Sequence, residues 1–199
     1  MIEVQNINKS YGSIKVLENF SLIFEKTGGG VYFIKVPSVK VKTTLLNIIG
    51  AIENADSGKI LYGGKKYKRM EDFKNTSFVF QNFGLLENET VLYNFTKFNI
   101  PNNYSRILAA LKDVGLGNIL NKKIYSLSGG EQQRVAIAKA LLKDSNIILA
   151  DEPTGNLDKK NSMNIIDILR SSSRDRLVII VTHDLELIDE SKGDKCIVL

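Results

Sequence analysis

Ile147-Ile148-Leu149-Ala150-Asp151-Glu152-Pro153-Thr154 is the stretch on which the fold turns. Its four apolar residues run without polar alternation. A strand buried on both faces reads this way, and such strands belong to parallel sheets covered by helices on both sides. Two carboxylates follow at the C-terminal end of the run, which is where open α/β sheets bind their ligands. Leu177–Val181 repeats the pattern and ends at Thr182-His183-Asp184. Lys159–Arg170 between them has helical spacing, so the region reads strand, helix, strand.

Working outward, Val31–Lys35 and Ser77–Phe80 are two more short apolar strands, the second ending at Gln81. Thr43–Ala51, Thr90–Phe98, Tyr104–Val114 and Gly130–Lys143 have helical spacing, and Asp184–Glu190 reads as a short helix. Ile2–Ile7 and the alternating Phe20, Leu22 and Phe24 are N-terminal strands, Ser57–Tyr62 another, and Lys195–Leu199 the last. Strands alternating with helices predict an α/β fold with a mainly parallel sheet.

The chain has 199 residues, enough for a single domain over 1–199 with a sizeable core. Lys and Arg total 27 against 22 Asp and Glu, a net charge of +5, which suits anionic partners or a solvated surface. The single cysteine, Cys196, excludes an internal disulfide framework and a cysteine-based zinc site, and reads as a buried bystander thiol. No apolar run approaches the roughly 20 residues that span a bilayer. The N-terminus, with Glu3 and Lys9 in a strand-like run, does not read as a signal peptide. These features predict a soluble chain whose membrane role, if any, comes through a partner.

Leu127-Ser128-Gly129-Gly130-Glu131-Gln132-Gln133-Arg134 is the strongest local motif. Ser128 and Glu131 form a capping box at the start of a long helix. Gly129 and Gly130 expose backbone N–H groups where the helix dipole favours an anion. The whole octapeptide resembles the signature sequence of ATP-binding-cassette (ABC) transporter ATPases. Ile147–Asp158 resembles the Walker B motif and D-loop of that family. The Gly155-Asn156-Leu157-Asp158 variant is similar to the lipoprotein-release and macrolide-export branch, with small bacteriocin-export or immunity subunits as the nearest type.

The resemblance implies a RecA-like P-loop NTPase core, an antiparallel β-subdomain and a helical subdomain over about 83–140. It implies ATP and Mg²⁺ as cofactors. Glu152 would orient the attacking water, His183 would contact the γ-phosphate, and Gln81 would sense the metal, with Asp151 and Thr43 as its ligands. Tyr11 would stack on adenine. Ser128, Gly129 and Gly130 would reach the nucleotide of a second cassette in a head-to-tail homo- or heterodimer. The other implied partner is a transmembrane permease, with no nucleic acid, and the implied place is cytoplasmic, peripheral on the inner face of the membrane. Asn82-Phe83-Gly84-Leu85-Leu86 is apolar for a loop. It reads either as cover for the helical subdomain or as a groove for a permease helix.

One motif departs from the family. The phosphate loop reads Val36-Pro37-Ser38-Val39-Lys40-Val41-Lys42-Thr43-Thr44, with valine at all three glycine positions. Lys42, Thr43 and Thr44 match the phosphate lysine, the metal-binding hydroxyl and its neighbour. Glycine permits positive φ and lets backbone N–H groups close on phosphate, and valine does neither readily. Two lost N–H contacts at about 1.5–3 kcal/mol each predict roughly 3–6 kcal/mol of weakened binding, beside the left-handed strain. Three readings stay open: a nucleotide-insensitive structural or regulatory subunit beside a competent partner, a locally altered version of an active ATPase, or ATP binding by an unusual route in which Lys40 adds charge. A small P-loop kinase is disfavoured, because the Leu127–Arg134 motif has no place in one.

Overall fold

A computed structural model of the chain describes residues 1–25, 30–35, 39–66, 75–97 and 103–199, with Val39 as backbone alone. Two sheets organise it. The first is antiparallel, in the order β2-β1-β4-β5, built from β1 (Ile2–Tyr11), β2 (Ile14–Phe24), β4 (Ser57–Tyr62) and β5 (Lys65–Lys66). The second is parallel, in the order β6-β7-β8-β3-β9, built from β6 (Thr76–Val79), β7 (Ile147–Asp151), β8 (Leu177–Val181), β3 (Tyr32–Lys35) and β9 (Lys195–Val198). The helices are α1 (Val39–Ile49), α2 (Val91–Thr96), α3 (Tyr104–Asp113), α4 (Gly129–Leu142) and α5 (Lys159–Ser172).

The two-residue period of the central strands sorts the core into two layers. Ile148, Ala150, Val178 and Ile180 point into a layer shared with α2–α5, through Phe95, Leu111, Val135 and Ile165. Ile147, Leu149, Leu177 and Ile179 point the other way. They meet Leu45 and Ile49 of α1 and Ile2, Val4 and Phe24 of the antiparallel sheet. β7 and β8 are buried throughout, which is why their sequences carry no polar alternation. The order of the parallel sheet places the C-terminal ends of β7 and β8 side by side, in register from Ile147–Leu177 to Asp151–Val181.

Three expectations are corrected. The Asp184–Glu190 helix is instead two 3-10 turns, Leu185–Leu187 and Glu190–Lys192. Asp184 and Asp189 accept from the backbone N–H groups of Glu186 and Ser191, and such local bonds compete with a continuous helix. Cys196 is exposed, because it lies on the edge strand β9. Helix α1 starts at Val39, four residues before the expected Thr43. Valine is confined to the negative φ that glycine leaves optional, and a helical turn at 39–41 is compatible with that restriction.

Candidate functional site

Lys42 and Thr43 lie in α1, Asp151 ends β7, and Thr182 and His183 follow β8. Glu152, one residue beyond β7, has φ +48, a left-handed conformation rare outside glycine. Its N–H donates to Val181 O at 2.9 Å and prolongs the β7–β8 ladder. The turn sends the neighbouring carboxylates to different partners. Asp151 Oδ2 accepts from Thr43 Oγ1 at 2.8 Å. Glu152 Oε1 takes Lys42 Nζ at 2.6 Å, His183 N at 3.1 Å and a contact to His183 Nδ1 at 2.9 Å. Its Oε2 accepts from Thr182 Oγ1 at 2.9 Å.

The electrostatics of the two acids differ in sign. Burial pushes Asp151 above its ordinary value, against the Thr43 hydrogen bond, and the Glu152 charge adds to the rise. Burial also opposes ionisation of Glu152. There the hydrogen bonds from Lys42, His183 and Thr182 outweigh it and leave the group below its ordinary value. Glu152 is thus held anionic beside a second carboxyl that resists ionisation.

Lys42, Gln81, Asp151, Glu152, Gly155, Asn156 and His183 line one cavity of about 450 Å³. The His183 side chain is 77% exposed and borders it with Nδ1 against Glu152. A second cavity, about 490 Å³, is lined by Tyr11, Ile14, Val16, Lys40, Thr43, Thr44 and Asn47. The start of α1 separates the two, with Lys42 facing the first and Thr43 lining the second. One acid-lined cavity and one largely apolar cavity with a tyrosine thus flank a single helix N-terminus.

The structure therefore brings together Lys42, Thr43, Gln81, Asp151, Glu152 and His183, with Tyr11 and Thr44 on the far side of α1. Lys40 lines the Tyr11 cavity, away from the carboxylates. Val36, Pro37 and Ser38 lie outside the described residues. Val41 is helical, without positive φ, and packs against the apolar layer below α1, so the strain expected of valine does not arise there. Ser128 caps α4 with its Oγ accepting from Glu131 N at 3.3 Å, while Glu131 accepts from Ser128 N at 2.8 Å. Ser128, Gly129 and Gly130 line neither cavity. Gly130 instead sits against Asn156 and Leu157, where a Cβ would approach Asn156 O to 3.1 Å. The sequence reading missed Thr182, although it stands beside His183, and Asn156, which donates to Gln133 Oε1 at 3.2 Å.

A Mg²⁺ ion fits the donor set. The hydroxyl of Thr43 and the carboxylate of Asp151 are hard oxygen ligands already in contact. Among the described residues no cluster of three or more acidic, His or Cys side chains forms a complete metal cage. Magnesium suits such a site, since it completes its shell with waters and phosphate oxygens.

Known proteins are similar to this chain in sequence and fold. The sequence model of the family described as ABC transporter matches residues 41–155. The ABC transporter ATP-binding protein YxdL of Bacillus subtilis is 38% identical, over 92% of this chain and 78% of its own length. The lipoprotein-releasing system ATP-binding protein LolD of Syntrophus aciditrophicus is 36% identical, over 94% of this chain and 92% of its own. Two dimeric structures of the ABC transporter cassette MJ0796, one of them post-hydrolysis with ADP and Pi, superpose on the whole chain at 33% identity. Each match covers 94% of the cassette chain, and the TM-scores are 0.88 and 0.85. No helix among the described residues is long and apolar enough to cross a membrane.

Proposed function

The chain belongs to the ABC transporter family, and on that premise we propose that it is the ATP-binding and ATP-hydrolysing subunit of an exporter-type membrane transporter. The observation that carries the reading is the meeting of Lys42, Asp151, Glu152 and His183 around one cavity at the C-terminal end of the parallel sheet, with Thr43 joined to it through its hydrogen bond to Asp151. In this reading the triphosphate enters that cavity and the base lies in the Tyr11 cavity, with α1 between them.

Each side chain then has a task. Lys42 turns from Glu152 to the phosphate oxygens, a charge-assisted contact that replaces the one it gives up. Glu152 thereby loses a partner that keeps its pKa low and becomes a stronger base for the attacking water. His183 swings in on the γ-phosphate, and Gln81 borders the same space. Thr43 and Asp151 would hold Mg²⁺, which when bound neutralises phosphate charge. Val39–Lys42 supply the N–H groups at the start of α1 that aim at an anion.

Two copies work head to tail. Ser128, Gly129 and Gly130, which line neither of the two cavities described above, complete the site of a second cassette through the capped N-terminus of α4. Residues of about 83–140 act as the helical subdomain, and the pair docks on a permease at the inner face of the membrane. Differential affinity of ATP for the closed pair converts binding into motion.

Glu152→Gln tests the assignment, because it keeps the shape and most hydrogen bonds but removes the base. Steady-state hydrolysis is expected to fall by about 10²- to 10⁴-fold while MgATP binding persists. Hydrolysis at the parental rate would remove Glu152 from the chemistry.

A further inference from the structure

Tyr11, at the end of β1, is 45% exposed and forms part of the wall of the apolar cavity. An exposed aromatic ring at a strand end is normally free to change rotamer, and a mobile ring makes a poor stacking surface. Here the ring is tethered. Its hydroxyl donates to Glu53 Oε1 at 2.6 Å and lies 3.2 Å from Thr44 Oγ1. Glu53 follows α1, and its N–H returns to Asn47 O at 3.2 Å, so the carboxylate is fixed to the helix that carries Lys42 and Thr43. Lys9 Nζ lies 3.0 Å from the same oxygen, donates to Asn54 O at 2.9 Å and stands 5.3 Å from the centre of the Tyr11 ring. Asp56 secures the other side, accepting from Ser10 N at 2.7 Å. Glu53 does not itself line the apolar cavity.

We propose that Glu53, charge-balanced by Lys9, is the positioning residue that fixes the Tyr11 ring relative to α1 and so sets how strongly this chain prefers a nucleobase-bearing triphosphate to a bare polyphosphate. The inference rests on the nucleotide reading above and deepens it. Base platform and phosphate helix are tied by the shorter contact to the Glu53 carboxylate, 42 residues from the tyrosine, and by the longer contact to Thr44 Oγ1, so their separation is restrained. A ring held in place stacks without first giving up rotamer freedom, and that saving appears as affinity for the base alone. The phosphate contacts do not pass through Glu53 and are unaffected by it.

The test measures MgATP and magnesium tripolyphosphate binding to the full chain by calorimetry, for the parent, Glu53→Ala, Glu53→Gln, Tyr11→Phe and the Tyr11→Phe/Glu53→Ala pair. The parent is expected to prefer ATP by about tenfold, the scale of one aromatic–base stack. Glu53→Ala and Tyr11→Phe should each remove most of that preference and leave tripolyphosphate affinity within about twofold. Glu53→Gln, whose amide oxygen still accepts from the hydroxyl, should keep it. The double change should cost no more than either single one. Full preference retained in both Glu53→Ala and Tyr11→Phe, or an equal loss for both ligands, overturns the proposal while nucleotide binding stands. Equal binding of both ligands by the parent overturns it as well, since no base platform then exists. Binding of neither ligand by the parent overturns the nucleotide reading and the proposal with it. If Glu53→Ala does not fold, Tyr11→Phe and Glu53→Gln decide between the same outcomes.

Discussion

Glu152 collects Lys42, Thr182 and two nitrogens of His183 on one carboxylate, at a backbone φ of +48. A strained residue with this many donors marks a place where the fold maintains geometry that local preference opposes. Its depressed pKa means that its stabilising contribution is present above the ordinary glutamate value of 4.5 and lost as pH falls through the depressed one. Asp151 has the opposite sign: its raised pKa weakens the fold at neutral pH, and the burden eases as protons return. Lys42→Met should destabilise the nucleotide-free chain by about 1–3 kcal/mol at pH 7, since Thr182 and His183 still serve the buried charge. The same change should flatten the loss of stability as pH falls below the ordinary glutamate value of 4.5. Urea unfolding across that fall in pH checks both, and an unchanged acid profile would show that the pair does not set the Glu152 pKa.

At the scale of elements, the start of α1 is the informative case. Its first turn, from Val39, occupies positions where the family places loop glycines. Val41 is held by the apolar layer beneath it without positive φ, so the strain expected of valine does not arise at that position. The triple change Val36→Gly, Val39→Gly, Val41→Gly should still tighten MgATP binding by about 10- to 10³-fold, by letting backbone N–H groups close on phosphate. Glycine inside the first helical turn should cost only about 0.5–1 kcal/mol of stability. Titration calorimetry with parallel thermal unfolding reads both quantities. Equal MgATP affinity in the two chains would mean that a helical Val39–Val41 cradles phosphate as well as glycine does.

Across the whole molecule, docking to a partner depends on what the fold leaves outside. The segment after Gln81 divides. Leu85 packs against the larger apolar layer, whereas Leu86 is 39% exposed. The buried Asn94 clamps the Leu86 backbone, accepting from its N–H at 2.7 Å and donating to its carbonyl at 3.2 Å. Tyr125, also exposed, joins this surface through its N–H to Glu87 O at 3.1 Å. Leu86→Asp should leave unfolding unchanged and abolish co-purification with the permease. Leu85→Asp should instead destabilise the isolated chain by about 2–4 kcal/mol. Assembly that survives Leu86→Asp would return the whole segment to a covering role.

The parallel sheet, the capping box at Ser128 and the acids at the end of β7 were legible in the sequence, because strand burial and helix capping are written in spacings of two to four residues. Burial of β7 and β8 on both faces removes polar alternation, and that absence is visible without coordinates. The Lys42–Glu152 contact, across 110 residues, was not legible in the same way. It exists because the sheet order sets β7 beside β8 and turns α1 over their ends. The Tyr11–Glu53 tether, the division between Leu85 and Leu86 and the exposure of Cys196 have the same origin. Each depends on which surfaces adjoin once the layers close, and no local periodicity encodes that. Local preference chose the elements of this protein; the order and packing of its strands decided which side chains share a cavity.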